Sequence, residues 1–306
     1  MYLIFIYFFF SLVDRSVKTM ENKNRNKNKE AIMISNTIKK TDGKKLLLQG
    51  LIIFFIFFGV SLLSKGLPFS KDSSAFLPNL LNFIFSISLA ACCYRFIKSD
   101  KIFVEKLQFS RVSKILFAVL LGIFIVLFLI VFRVPYNIQT VLRKGIVPAL
   151  SILLAAAAAG VFEEFLVRGV FFAGFLQVFQ NKNRMRSVFW ASCASAVLFG
   201  LLHLTNLTSS SFTAVIQQVF YAAAFGLIFA ALRIKYNNLW IPTIIHTLID
   251  FQPAVASNGA PSGHSWIGLI VIFLPLAFLG LTVLFHFDRD CNRSEKAAEM
   301  KTVQNT

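Results

Sequence analysis

Acidic side chains are scarce: 14 Asp and Glu stand against 31 Lys and Arg in 306 residues. Charged residues of both signs make up only 15% of the chain, well below the roughly one quarter usual in water-soluble domains. A soluble fold of this length is thereby excluded, because too little charge is left to cover its surface. Cysteine is scarce as well. Four residues do not make a disulfide scaffold, and Cys92, Cys93 and Cys193 fall in apolar stretches, where a thiol acts as a small hydrophobe. The adjacent Cys92 and Cys93 lack the spacing of a chelating loop, which argues against a Cys-type zinc site. Strand-like alternation is missing too, and with it the case for a membrane β-barrel.

What the chain has in quantity is apolar sequence: 57% hydrophobic residues, 36 of them Phe, and a mean hydropathy of +0.70. Continuous apolar runs cover 46–64, 75–94, 115–132, 145–180, 188–207, 213–232, 239–257 and 266–285. Most match the roughly 20 residues that a bilayer-spanning helix needs. The expected fold is therefore all-α, a polytopic membrane protein of about eight transmembrane helices. Its expected organisation is an N-terminal segment 1–45, a membrane domain 46–287 and a tail 288–306.

The net charge of +17 follows the topology. With the N-terminus inside, 25 of the 31 Lys and Arg fall in inside segments and five in outside loops, leaving Arg168 within a span. This is the positive-inside pattern for an even number of spans with both termini cytoplasmic. It removes the reason to invoke nucleic acid as a partner and leaves the lipid bilayer. The basic tract 22–29 reads as a solvated tail able to touch anionic headgroups. Residues 2–13 are apolar but too short to span and lack the marks of a signal peptide, so they are either an interfacial segment or sequence upstream of a true start at Met20.

Inside the spans, ionisable side chains occur in three runs only: Glu163, Glu164 and Arg168 in the fourth, His203 in the fifth, His246 and Asp250 in the seventh. Each charge at mid-bilayer costs about 2.5–3.5 kcal/mol on insertion scales, so these groups are expected to meet one another or to line a wet cavity. Glu164 and Arg168 stand at i, i+4 with the acid first, the better order for a helical ion pair. Glu163, about 100° around the helix, faces elsewhere and stays available for proton transfer. A polar cluster that only fixes helix packing, or a proton relay in a transporter, uses the same residue types. Glu164 and His203 lie at similar depth, counted from the 181–187 turn, whereas His246 is nearer the cytoplasmic end of its run. A hairpin tip projecting into the cytoplasm would reconcile the heights and set the site towards that side. His264 and His286 are expected to be outside the site.

Three motifs then resemble the CPBP family of intramembrane peptidases, also called the Abi family. It includes the type II CAAX prenyl endopeptidases and relatives linked to bacteriocin processing and self-immunity. They are Glu163-Glu164-Phe165-Leu166-Val167-Arg168 (EExxxR), Phe199-Gly200-Leu201-Leu202-His203 (FxxxH) and His246-Thr247-Leu248-Ile249-Asp250 (HxxxN or HxxxD), with Asn238-Leu239-Trp240 as a similar lead-in. The similarity covers about 145–257. It implies an eight-helix intramembrane protease of a bacterial cell membrane, in which Glu163 and His203 activate water while His246 and residue 250 support an oxyanion or a metal. An ionised Asp250 cannot donate to an oxyanion, so it is protonated, orients His246 or helps bind a cation. Zinc or another divalent metal on Glu163, His203 and His246 and a metal-free glutamate mechanism both fit these residues; HExxH is absent. Substrates of the implied kind are prenylated CAAX tails, bacteriocin-type peptides or other membrane peptides. An immunity or scaffold protein without turnover and a proton-linked transporter are the alternatives, and oligomeric state is not legible.

Overall fold

The computed structural model describes residues 42–65, 76–104, 107–182, 186–253 and 264–304. The expected features at 2–13 and 22–29 lie outside the described residues. The fold is all helical, as the apolar runs require. In chain order the elements are α1 (Gly43–Lys65), α2 (Phe76–Ile97), α3 (Arg111–Val126) ending in a π turn (Leu127–Val131), the short α4 (Val134–Leu142) and α5 (Ile146–Glu164). A π-helical stretch (Phe165–Phe171) joins α5 to α6 (Phe172–Lys182). Then come α7 (Ser187–Leu202) with a 3-10 extension (His203–Thr208), α8 (Phe212–Tyr236), α9 (Trp240–Asp250) and α10 (Trp266–Gln304).

Seven of these helical runs are long and apolar enough to cross a bilayer. The expected seventh span, 239–257, is different: α9 has 11 residues, about 16 Å at 1.5 Å per residue, which is short of a bilayer. The chain nonetheless changes ends between Tyr236 and His264, because the backbone of His264 pairs with Gln217 at the start of α8 (2.6 and 2.8 Å). Among the described residues, eight passes are thus made with seven full-length helices. The segment expected as a tail after 287 is helical as far as Gln304.

Polar contacts bind the bundle at each end. Asp288 on α10 accepts from the amides of Val188 and Phe189 (3.0 and 3.1 Å), and Asp290 accepts from Ser110 N, Ser110 Oγ and Ser113 Oγ. One helix therefore caps the N-termini of α7 and α3, where unpaired amides and the positive dipole end attract a carboxylate. At the same end Asn237, with positive φ (50°), holds Ile102 and Phe103, while Arg233 donates to the Asp100 carbonyl (3.2 Å). Arg233, expected in a loop, is thus buried within α8. The basic segments around 98–104, 107–114, 186–187, 233–238 and 288–294 meet here, and this is called the basic end below. At the opposite end Asn79 donates to Ser151 (2.9 Å) and Asn206 to Gln218 (2.8 Å).

Small residues set the helix spacing, as they do where lipid supplies no hydrophobic drive between helices. Gly226 of α8 lies against Ala196 of α7, where an added Cβ would come within 2.7 Å of the Ala196 Cα. Gly160 of α5 abuts the backbone of Thr247 on α9 at 2.9 Å, measured to an added Cβ. That close approach, one turn before Glu164, brings His246 within hydrogen-bonding reach of it. Large apolar side chains such as Leu63, Ile130, Ile146, Ile267 and Phe278 point outward, as a lipid-facing surface requires.

Candidate active site

The buried ion pair forms locally. Arg168 Nη1 donates to Glu164 Oε1 at 2.9 Å, and both side chains are fully buried. Helical spacing brings the pair together, although Arg168 lies in the π stretch rather than in α5. Such one-turn π segments often mark functional sites. The rest of the guanidinium rests on aromatic faces: its Cζ is 4.1 Å from the Phe199 ring centroid and 5.2 Å from that of Phe229. Glu164 Oε2 and Arg168 Nε and Nη2 have no protein partner among the described residues.

His246 completes the cluster from α9. Its Nδ1 lies 3.0 Å from Glu164 Oε1, the same oxygen that receives Arg168, and its Nε2 faces Asp250 Oδ2 at 3.4 Å and Glu163 Oε2 at 3.8 Å. Carboxylates only accept when ionised, so this imidazole is placed to donate from both nitrogens. Phe229 stacks on it (5.5 Å, 26°) and Phe199 meets it edge-on (5.7 Å, 87°). The same two rings therefore enclose Arg168 and His246 in a low-dielectric cage, which strengthens the charged contacts inside it.

Glu163 and Glu164, neighbours in sequence, have different surroundings. Glu164 is shared between Arg168 and His246, whereas the Glu163 side chain is 29% exposed and its carboxylate has only the 3.8 Å approach of His246 among the ion pairs. Asp250 is similarly open, at 28%. His203 comes from the C-terminal end of α7, where the helix tightens to 3-10. Its Nδ1 sits 2.8 Å from the Phe199 carbonyl. A carbonyl can only accept, so in the neutral ring Nδ1 holds the hydrogen and Nε2 presents its lone pair. Phe199 lies edge-on to both imidazoles, and Glu163 interacts electrostatically with His203 and His246. All six residues singled out by the sequence are brought to this one region. His264 and His286 have no contact with it: His264 takes part at the opposite end through its backbone, and His286 lies against Phe285.

The tip of the expected hairpin, residues 183–185, lies outside the described residues, but its α7 arm does not start beyond its neighbours. Val188 is bonded to Asp288, and Phe117 touches both Tyr236 (6.1 Å) and the neighbouring Phe287 (5.7 Å). The start of α7 is thus level with the end of α8. His203 lies far from the basic end, and the height difference from His246 is bridged by Phe199.

Among the described residues no group of three or more His, Cys, Asp or Glu is disposed to hold a metal ion. The trio Glu163, His203 and His246 does not present converging donors. Both nitrogens of His246 face carboxylates in this arrangement.

Sequence reasoning missed the aromatic cage and Arg233. Phe199 and Phe229 could have been found only by knowing which faces of α7 and α8 meet. Arg233 is within the electrostatic reach of Glu164 and Arg168, yet it looked like one more basic loop residue.

Comparison with known proteins gives one finding. Searches of curated proteins and of solved structures find no match. One family model does match, that of the type II CAAX prenyl endopeptidase Rce1-like proteins, over residues 145–252. That span begins just before α5 and ends after α9, so it contains Glu163, Glu164, Arg168, His203, His246 and Asp250. Residues 145–252 thus match the Rce1-like family model, in keeping with the CPBP resemblance of the three motifs, within an all-α membrane protein.

Proposed function

We propose that the chain is an intramembrane endopeptidase in which Glu163 is the general base and His203 its partner. The observation that carries this reading is the division between the two glutamates. Glu164 is committed to Arg168 and His246, while Glu163 is partly open and close to both histidines. A water between Glu163 and His203 Nε2 loses a proton to Glu163 as its oxygen attacks the peptide carbonyl carbon. The proton then passes to the departing amine, leaving a new carboxyl and a new amino terminus. As the oxyanion develops, the one hydrogen on His246 Nε2 shifts towards it from the Asp250 carboxylate, which orients the ring. No step passes through a metal. Arg168, caged by Phe199 and Phe229, holds Glu164 and through it His246, and is a positioning residue.

The substrate class that fits the family is a membrane-associated peptide, either a prenylated CAAX-like tail or a bacteriocin-type peptide. The charge distribution supports placing the basic end, and with it both termini, in the cytoplasm. The test is cleavage of membrane-fraction peptides by purified wild type beside Glu163→Gln. Removing a general base is expected to slow turnover by about 10²–10⁴-fold. Because the one ion pair of Glu163 among the described residues is long, at 3.8 Å, the variant should elute and unfold as wild type does. Cleavage by Glu163→Gln at the wild-type rate would overturn the assignment.

A further inference from the structure

We infer that the site is reached from the end of the bundle opposite the basic end, so that the substrate is a peptide segment presented on the outer face of the membrane, a bacteriocin-type peptide rather than a prenylated CAAX-like tail, which lies on the cytoplasmic face. The inference rests on the peptidase reading for its substrate and on helix direction for its geometry.

Three helices carry the site, and on each one the open group lies on the same side of the enclosed one. Along α5 and its π extension the chain runs towards the basic end and meets Glu163, 29% exposed, before the fully buried Arg168. Along α7 it runs away from the basic end and meets the caged Phe199 before His203, which is only partly buried. Along α9 it again runs away, meeting His246, 8% exposed, before Asp250, 28% exposed. In every case the open member is the one farther from the basic end.

Distances along the helices agree. His203 is 16 residues from Ser187 at the basic end, about 24 Å of α-helix. In the other direction only six residues separate it from the exposed Ser209, about 12 Å of 3-10 helix. That side is polar: Thr205 follows His203 by two residues, Asn206 bonds Gln218, and Tyr221 interacts electrostatically with Asp250. Towards the basic end the filling is apolar and closed. Ile97, Val167, Val170, Phe172 and Leu239 are each no more than 2% exposed, and Arg233 at 1% is tied to the Asp100 carbonyl. Water and a peptide backbone therefore meet hydrogen-bonding side chains from one side and packed hydrocarbon from the other.

Cysteine labelling in intact cells tests access without requiring turnover. In a background with Cys92, Cys93, Cys193 and Cys291 replaced by Ala, Glu163→Cys, Thr205→Cys, Ser209→Cys and Ser99→Cys are each treated with a membrane-impermeant maleimide, before and after permeabilisation. The expected result is that 163, 205 and 209 label in intact cells as fully as after permeabilisation, and that 99 labels only after it. Thr205→Cys stands in should Glu163→Cys fail to accumulate. Labelling of 163 and 205 only after permeabilisation overturns the inference, as does no labelling under either condition. Labelling of 99 in intact cells overturns the outer-face assignment by inverting the orientation. Absence of cleavage by purified wild type would instead strike the peptidase reading, and the labelling pattern would still decide the direction of access.

Discussion

Replacing Arg168 by Ala should destabilise the protein more than any change at Glu163. Glu164 and Arg168 are both fully buried and joined at 2.9 Å. Deleting one partner of such a pair typically costs about 3–5 kcal/mol, because the other charge is left in a medium that cannot solvate it. His246 Nδ1 remains 3.0 Å from the stranded oxygen, which places the electrostatic loss near the lower end of that range. The guanidinium also leaves the faces of Phe199 and Phe229, at about 0.5–2 kcal/mol. A total near 4 kcal/mol is a large part of a typical stability of about 5–15 kcal/mol. At about 2–4 °C per kcal/mol it corresponds to a fall in Tm of about 8–16 °C. Thermal unfolding in detergent measures it. The double change Glu164→Gln/Arg168→Met removes both charges and should recover more than half of the loss, since Gln still accepts from His246 and Met fills the stem's volume. Two results would refute the reasoning: Arg168→Ala unfolding within about 2 °C of wild type, or a double variant no more stable than the single one.

Other expectations follow from single contacts. Gly160→Val places a side chain against the Thr247 backbone, where even a Cβ would lie 2.9 Å from the nitrogen; it should cost about 1–3 kcal/mol and reduce cleavage by moving His246 from Glu164. Gly59→Ala, with nothing within 4 Å of the new carbon, is the control and should change neither cleavage nor Tm. Asp288→Ala leaves the Val188 and Phe189 amides uncapped and should cost about 1–2 kcal/mol, read as a lower Tm with cleavage preserved. Treatment with 1,10-phenanthroline should leave cleavage unchanged, because His246 is committed on both nitrogens; loss of activity restored by zinc would contradict that reading of the ring.

Legibility in the sequence followed the range of the interaction. The Glu164–Arg168 pair depends on four residues of one helix, so spacing alone anticipates it. The clustering of six ionisable residues was also accessible, because hydrocarbon forbids leaving such groups apart. What failed depended on other elements. The run 239–257 reads as a span by hydropathy, yet α9 stops at Asp250. Pro253 supplied a signal, since the residue before proline disfavours helix. Arg233 lies one residue past the apolar run 213–232 and so reads as a basic loop residue, and only the packing of α8 against the 98–104 segment shows it to be interior. The relative heights of His203 and His246 needed the level at which α7 begins, which is set by Asp288, a hundred residues further along the chain. The π stretch has no counterpart in the apolar pattern, which is continuous through it.

The two aspartates of α10 bear on biogenesis. As the chain leaves the ribosome, α3 and α7 emerge before residues 288 and 290 have been made, so their first amides rely on water or lipid headgroups. The last span then brings a matched partner for each, Asp290 for the start of α3 and Asp288 for the start of α7. Closure of the bundle is thereby coupled to completion of synthesis. Chains arrested before α10 should keep these two helix ends within reach of the quality-control proteases of the membrane, and full-length chains should withdraw them.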